Sequence, residues 1–149
     1  MKRLVRCVLV AIVMAIAIHT FSIGVLSAHL PRAVGEPDVH EVRTFTLAAV
    51  PAARIENQNG EVHVRVHDAG SMRLDATITG YTENHQAPSA ECVSELIDVV
   101  ESPESVSMIG RDVPKVFRDL RIDYTLFVPP GTDISVVNTN GNVWISKGC

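Results

Sequence analysis

The pattern N-x-N-G-x-V-x-(V/I) occurs twice in this chain, and no other feature limits the fold as strongly. The first copy begins at Asn57 and the second begins at Asn138, 81 positions later. An Asn-Gly pair reaches positive φ at little cost, so each copy predicts a tight turn between two strands. We interpret the two copies as examples of one strand–turn–strand unit.

The residues that define the two turns are shared by both copies: Asn57, Asn59, Gly60, Asn138, Asn140 and Gly141. Alternation along the preceding strand places Asn57 and Asn138 on its buried side, where an amide needs hydrogen-bond partners. Two interpretations are open. The amides bond backbone groups at a corner between stacked strands, as in solenoid folds, or each amide bonds only within its own turn.

Most of the chain from Thr44 onward alternates between apolar and polar residues, which predicts strands. The clearest examples are Thr44–Ala49, Ser71–Thr79 and Leu120–Val128. One short helix is expected from Ser89 to Ile97, and a hairpin is expected around residues 102–104. The sequence therefore predicts a mainly β fold with one short helix, either β-solenoid-like (β-helix-like) or a β-sandwich-like stack of short strands.

The N-terminus predicts export. Three basic residues within the first six are followed by an apolar run, as in a secretory signal peptide. The segment from Val8 to Leu26 is 19 residues long, which is close to the shortest helix that spans a bilayer. Residues 1–28 are therefore expected to form either a cleaved signal or a retained hydrophobic anchor helix. Both alternatives place the rest of the chain in the periplasm, outside the cell or on its surface.

The export segment also defines the expected domain organisation. Residues 29–42 contain two prolines and a glycine and are expected to form a linker, and residues 43–149 are expected to form the β-rich domain. Contact with a membrane is expected only through residues 8–26, if they are retained. The exported part carries 10 basic and 17 acidic residues, a balance that argues against a nucleic-acid partner.

Two cysteines remain after the export segment, Cys92 and Cys149. In an oxidising compartment they could form a disulfide with each other or between chains. Alternatively, Cys92 is a small buried apolar residue. Their spacing does not match a zinc or redox motif.

The search for catalytic motifs finds no nucleophile elbow, metalloprotease helix or phosphate-binding loop. His63, Arg65 and His67 lie on one face of a strand, but two histidines roughly 13 Å apart along a strand cannot share a metal by themselves. This face is expected to be solvated, as is the acidic hairpin formed by Asp98, Glu101 and Glu104. We therefore expect no enzymatic activity, cofactor or metal.

Trp144 occupies the same position in the second unit as His63 in the first, so it is expected to face outward. An exposed tryptophan on a sheet is an interface anchor or a carbohydrate platform, unless a further strand or loop covers it.

The order strand, V-P-x-G, strand, N-x-N-G-x-V-x-I from Tyr124 to Ile145 resembles the bacterial putative-adhesin domain of unknown function. The resemblance covers about residues 41–149, and it implies a repetitive β-solenoid-like fold at a cell envelope without catalytic residues. That family continues through further N-G-x-V strands, whereas this sequence stops four residues after Ile145. We therefore expect either continuation in a longer protein or an open C-terminal edge that a partner, a capping segment or self-association covers.

These observations predict a non-enzymatic exported module of the cell envelope, with an adhesin-like binding or structural role and a partner that the sequence does not identify. The alternative is a membrane-anchored ectodomain of an envelope signalling or sensor protein.

Overall fold

The computed structural model describes residues 35–146. The expected export segment, residues 1–28, lies outside this range. The part of the chain that is described contains nine strands and one short helix: β1 (Val39–Ala48), β2 (Ala52–Asn59), β3 (Val62–Val66), β4 (Ser71–Thr82), α1 (Ala90–Ser94), β5 (Ile97–Glu101), β6 (Ser105–Gly110), β7 (Phe117–Val128), β8 (Asp133–Asn140) and β9 (Val143–Ser146). The predicted mainly β fold with one short helix is confirmed.

The strands form two sheets. Sheet A has five strands in the order β1-β4-β7-β3-β9, and sheet B has four in the order β5-β6-β2-β8. Each Asn-Gly turn carries the chain from sheet B into sheet A, because β2 and β8 lie in sheet B whereas β3 and β9 lie in sheet A. The turns therefore form corners between the sheets rather than hairpins within one sheet.

The two Asn-Gly units lie side by side in parallel register. Asn57 pairs with Asn138 on β2 and β8, and Val62 pairs with Val143 on β3 and β9. On the other side, β6 and β7 pair with β2 and β3, also in parallel. We call β6–β7 the lower rung, β2–β3 the middle rung and β8–β9 the upper rung.

Only these three rungs have the parallel stacking of a solenoid. β1 and β4 pair antiparallel, as do β4 with β7 and β5 with β6. Within residues 35–146 the strands therefore do not close into a complete solenoid.

Three local expectations can be compared with the structure. The hairpin around residues 102–104 is confirmed by the antiparallel pairing of β5 and β6. The helix ends at Ser94, earlier than expected, because Ile97 begins β5 and pairs with Gly110. β1 begins at Val39, inside the expected linker, because Val39 pairs with Gly80 at the end of β4.

The core lies between the two sheets and consists mainly of aliphatic side chains at alternate strand positions. Ile55 of sheet B and Val64 and Leu126 of sheet A are almost fully buried. The residues of β4 that alternation places inward are also buried: Met72, Leu74, Ala76 and Ile78. Burial of apolar side chains at these positions supplies the main driving force for packing the sheets together.

Tyr124 is an aromatic member of this core that carries a polar group. Its side chain is fully buried, and its hydroxyl has no hydrogen-bond partner among the described residues. Burial raises the pKa of the Tyr124 hydroxyl because the phenolate would lose its hydration. The Tyr124 ring therefore contributes apolar packing, whereas its hydroxyl is buried at a cost.

The glycines of the two corners are required for two reasons. Gly60 has φ +132° and Gly141 has φ +122°, conformations that other residues rarely adopt. A Cβ atom on Gly60 would overlap the carbonyl of Ile122, and one on Gly141 would overlap the carbonyl of Gly60. The corners of successive rungs thus stack with backbone against backbone.

We expect Gly60→Ala to lower the free energy of unfolding by at least about 2 kcal/mol, since it adds backbone strain and a clash with Ile122. Gly70→Ala is the matched control, because an added Cβ there meets no atom and its φ is not in the glycine-favouring range. Urea denaturation followed by circular dichroism measures both values. Equal effects at the two positions would contradict this account of the corners.

We expect Tyr124→Phe to raise the free energy of unfolding by about 1 kcal/mol, because it removes a buried hydroxyl that has no partner. The unfolded state ionises this tyrosine near pH ~10. In the folded state burial resists this ionisation, so a pH above that value favours the unfolded state. The free energy of unfolding is therefore unaffected by the Tyr124 hydroxyl's ionisation below that pH and falls as the pH rises above it.

The pH dependence therefore provides a second measurement of the same variant. Tyr124→Phe should lose part of the alkaline destabilisation that the unchanged protein shows. Urea titrations at several pH values between neutrality and about pH 11 measure this difference. A less stable Tyr124→Phe protein would show instead that the hydroxyl makes a favourable interaction.

Candidate functional site

The upper rung forms an edge of both sheets at the same end of the structure. β8 is the last strand of sheet B, and β9 is the last strand of sheet A. No strand within residues 35–146 pairs with their outer edges, so their outward N–H and C=O groups are available to another strand. We call residues 133–146, which comprise β8, its corner and β9, the open end.

The open end carries exposed apolar side chains. Trp144 is 54% exposed and Ile145 is 65% exposed, and Val137 and Val143 are also exposed. Val143 and Ile145 occupy inward positions, because they pair with the buried Val62 and Val64 of the middle rung. Their exposure therefore results from their place at the edge, and a concentration of apolar surface of this kind is typical of an interaction site.

The opposite edge of sheet A differs in its chemistry. On β1, Glu41 and Arg43 lie on the inner face and form an ion pair with an N–O distance of 2.6 Å. Arg43 Nη1 also donates to the carbonyl of Ser94 at the end of α1, over 3.3 Å. Inward-pointing charges discourage a further strand from pairing with an edge, and no such charge is found on β9.

The corner asparagines bond across rungs. Asn57 is buried, and its Nδ2 donates to the carbonyl of Ile122 over 3.0 Å. Asn138 Nδ2 donates to the carbonyl of Gly60, also over 3.0 Å. Of the two interpretations left open by the sequence, these contacts match the corner between stacked strands.

The second asparagine of each unit behaves differently in the two corners. Asn59 Nδ2 donates to the carbonyl of Leu120 over 2.9 Å. Asn140 has an exposed side chain, and its backbone carbonyl accepts from the N–H of Gly60 over 3.0 Å. Asn138 has an additional feature, since its Oδ1 is buried and has no partner among the described residues.

Trp144 faces outward, as expected, and stacks on His63 with ring centroids 6.3 Å apart and an interplanar angle of 18°. His63 Nε2 lies 3.2 Å from a carboxylate oxygen of Glu61. Because one ring face of Trp144 is against His63, the stacked pair continues the outer face of sheet A towards the open end.

A charged cluster beside the first corner was not anticipated from the sequence. Arg121 Nε donates to both carboxylate oxygens of Asp123 over 2.9 Å, and this bond raises the pKa of Arg121. Asp123 Oδ1 also accepts from the backbone N–H of Glu61 over 2.7 Å. The i, i+2 spacing of Arg121 and Asp123 on a strand was the available signal, because it places both side chains on one face.

The remaining polar candidates are dispersed. His67 Nε2 lies 3.2 Å from the carbonyl of Ser71, and Arg65 is exposed on the same strand. Asp98 pairs with Arg111 at 3.3 Å, and Glu101 accepts from the N–H of Ala48 over 3.4 Å.

The carbonyl of Glu104, the third residue of that acidic hairpin, accepts from the N–H of Ala52 over 3.3 Å. In the described range, no three His, Cys, Asp or Glu side chains are grouped so that they could hold a metal ion.

Cys92 is half-buried and lines an open groove of about 430 Å³ beside α1. Cys149 lies outside the described residues, so the Cys92–Cys149 disulfide stays a prediction. Residues 35–146 contain no helix with the length and hydrophobicity of a membrane span.

Comparison with protein-family models, curated proteins and solved structures found no match to this chain. The resemblance to the adhesin-like domain therefore stays a prediction.

We expect Asn57→Ala to lower the free energy of unfolding by about 1–3 kcal/mol, because it leaves the buried carbonyl of Ile122 without its donor. Gln58→Ala is a matched control, since it removes the neighbouring amide. The Gln58 side chain is exposed and donates only to Asp112. A change within about 0.5 kcal/mol is expected for this control in chemical denaturation. If the two variants lose equal stability, the amide of Asn57 has no special role at the corner.

Proposed function

We propose that this chain is a non-enzymatic exported module of the cell envelope, with an adhesin-like binding or structural role. We further propose that it binds its partner at the open end, where the partner adds a strand to one or both sheets. The observation that carries this proposal is the coincidence of two unpaired strand edges and exposed apolar side chains on the upper rung.

The backbone of the upper rung is suited to strand addition. The carbonyl of Asn142 accepts from the N–H of Val62 over 3.0 Å, so this group points to the middle rung. Alternation in a parallel sheet turns the N–H and C=O of Val143 to the outer edge. In strand addition, such main-chain groups supply affinity and side chains at alternate positions supply specificity.

The side chains of the open end fit the same role. A new strand beside β9 would cover Val143 and Ile145 as the middle rung covers Val62 and Val64, which are buried. On the outer face it would lie beside Trp144, an aromatic residue of the kind that anchors protein interfaces. The proposal of export comes from the basic and apolar N-terminus, which is typical of a signal or anchor.

We also propose that the module is solenoid-like, and the stacking of the rungs supports this. Three of them stack in parallel register, with similar backbone-to-backbone corners in the middle and upper rungs. Stacked units of this kind each bury their apolar faces against their neighbours, and a terminal unit needs a cap. A partner strand at the open end would cover the upper rung as the upper rung covers the middle rung.

We expect a photo-crosslinking amino acid at position 145, introduced in the native host, to form an adduct with a partner polypeptide. The matched control is position 42, because Val42 is 63% exposed on β1, the opposite edge of sheet A. The adduct at position 145 should disappear in the Val143→Pro background, since proline removes an N–H of the outer edge but none of the bonds to β3.

A thermal melt of Val143→Pro checks that the fold is retained. If that variant does not fold, Ile145→Lys with the crosslinker at position 143 tests the same edge, because charge on an edge strand blocks pairing. An adduct at position 145 that survives the edge substitution, or an equal adduct at position 42, would refute binding at the open end.

A further inference from the structure

The corner amides bond in one direction along the stack. Val62 pairs with Tyr124 and with Val143, so Ile122, Gly60 and Gly141 hold equivalent positions in the lower, middle and upper rungs. Asn57 of the middle rung donates to Ile122, and Asn138 of the upper rung donates to Gly60. Each amide thus bonds the corner carbonyl of the rung below it.

The next acceptor in this series is the carbonyl of Gly141. No described side chain donates to it, and Gly141 is exposed at the open end. Beside it, Asn138 Oδ1 is buried and has no described partner. In each of the two rungs below, the corner carbonyl accepts a hydrogen bond from an asparagine side chain. The equivalent carbonyl at the open end has no such donor among the described residues.

The corner also limits the shape of any segment that stacks on it. A Cβ on Gly141 would overlap the carbonyl of Gly60, and a Cβ on Gly60 would overlap that of Ile122. A segment that continued the stack at the same spacing would meet the carbonyl of Gly141 in the same way. It would therefore need glycine at its own corner, three residues after its asparagine.

We infer that the corner of the open end is a specificity-determining site for a partner polypeptide. The occupant is a strand–turn–strand segment of another chain, with an asparagine that donates to the carbonyl of Gly141 and a glycine three residues later. It lies parallel to the upper rung, with β-branched or other apolar residues at its inward positions. This inference rests on the proposed function. It adds the structural feature, the corner, that lets the open end bind one partner strand in preference to another.

The geometry favours this occupant over a second folded copy of the chain. In a folded copy, the β2–β3 unit is paired on both sides, and the β8–β9 unit is already paired on one side with β3 and β2. A two-fold axis between open ends would also make the facing strands antiparallel. Antiparallel strands would not repeat the parallel spacing that brings an asparagine onto the corner carbonyl.

The test uses the full chain and a synthetic peptide with the sequence of residues 52–66, which contains N-x-N-G-x-V and lacks tryptophan. Trp144 is the chain's single tryptophan, so its fluorescence reports directly on the open end. Docking of the peptide should shift its emission to shorter wavelength, because the half-exposed indole becomes covered. The Val143→Pro protein should show no shift.

Three altered peptides measure the selectivity of the corner. Asn57→Ala in the peptide should weaken binding about fivefold or more, the ratio expected for loss of one net hydrogen bond. Gly60→Ala should abolish the shift. Gln58→Ala is the control and should bind like the unmodified peptide, because in the middle rung this side chain is exposed and its amide bonds Asp112 rather than a corner carbonyl.

The outcomes separate the two proposals. If the Asn57→Ala and Gly60→Ala peptides bind as tightly as the unmodified peptide, the corner does not select its occupant and the inference is wrong, although strand addition stands. If no peptide shifts the emission at concentrations of roughly 1 mM, or if Val143→Pro binds equally well, strand addition at the open end is itself refuted.

Discussion

Backbone-to-backbone contact at the corners determines how the rungs of this protein stack. Where a strand of sheet B turns into sheet A, Gly60 lies against the carbonyl of Ile122, and Gly141 lies against that of Gly60. A side chain at either position would force the rungs apart and stretch the hydrogen bonds between parallel strands. The asparagine three residues earlier then fixes the register, because its amide reaches one carbonyl of the neighbouring rung.

The rest of the core follows from that register. A shift of one residue in a strand would exchange its inward and outward side chains, so Ile55 and Val64 would leave the space between the sheets. With the register held at the corners, the aliphatic residues of both sheets meet and pack. The outer face of sheet A keeps its polar network, in which Asp123 links Arg121 to the backbone of Glu61.

Local patterns predicted the strand content, the β5–β6 hairpin and the inward residues of β4, because alternation depends only on neighbouring residues. They did not identify the lower rung, since its corner lacks Asn-Gly and its chain path is longer. The stretch from Val106 to Tyr124 matches the much shorter stretch from Ala53 to Val62 in the middle rung. No local signal indicates which distant strands become neighbours.

The candidate site was partly accessible to the same reasoning. The corner residues and the outward position of Trp144 follow from the repeated pattern. The exposure of Val143 and Ile145 does not, because their alternation is the same as that of the buried Val62 and Val64. A sequence shows which face of a strand is apolar, but it does not show whether the strand has a neighbour on each side.

The pairing of β2 with β8 also has a consequence for how the chain folds. The two strands are 81 positions apart, and β3 and β9 have the same separation. Contacts between residues so distant in sequence form slowly, because a long loop must close before they contribute any stability. During synthesis, β2 and β3 are complete long before β8 and β9 emerge. Until then the middle rung presents its own unpaired edge. A foreign strand that paired with this edge during that time would exclude the chain's own upper rung.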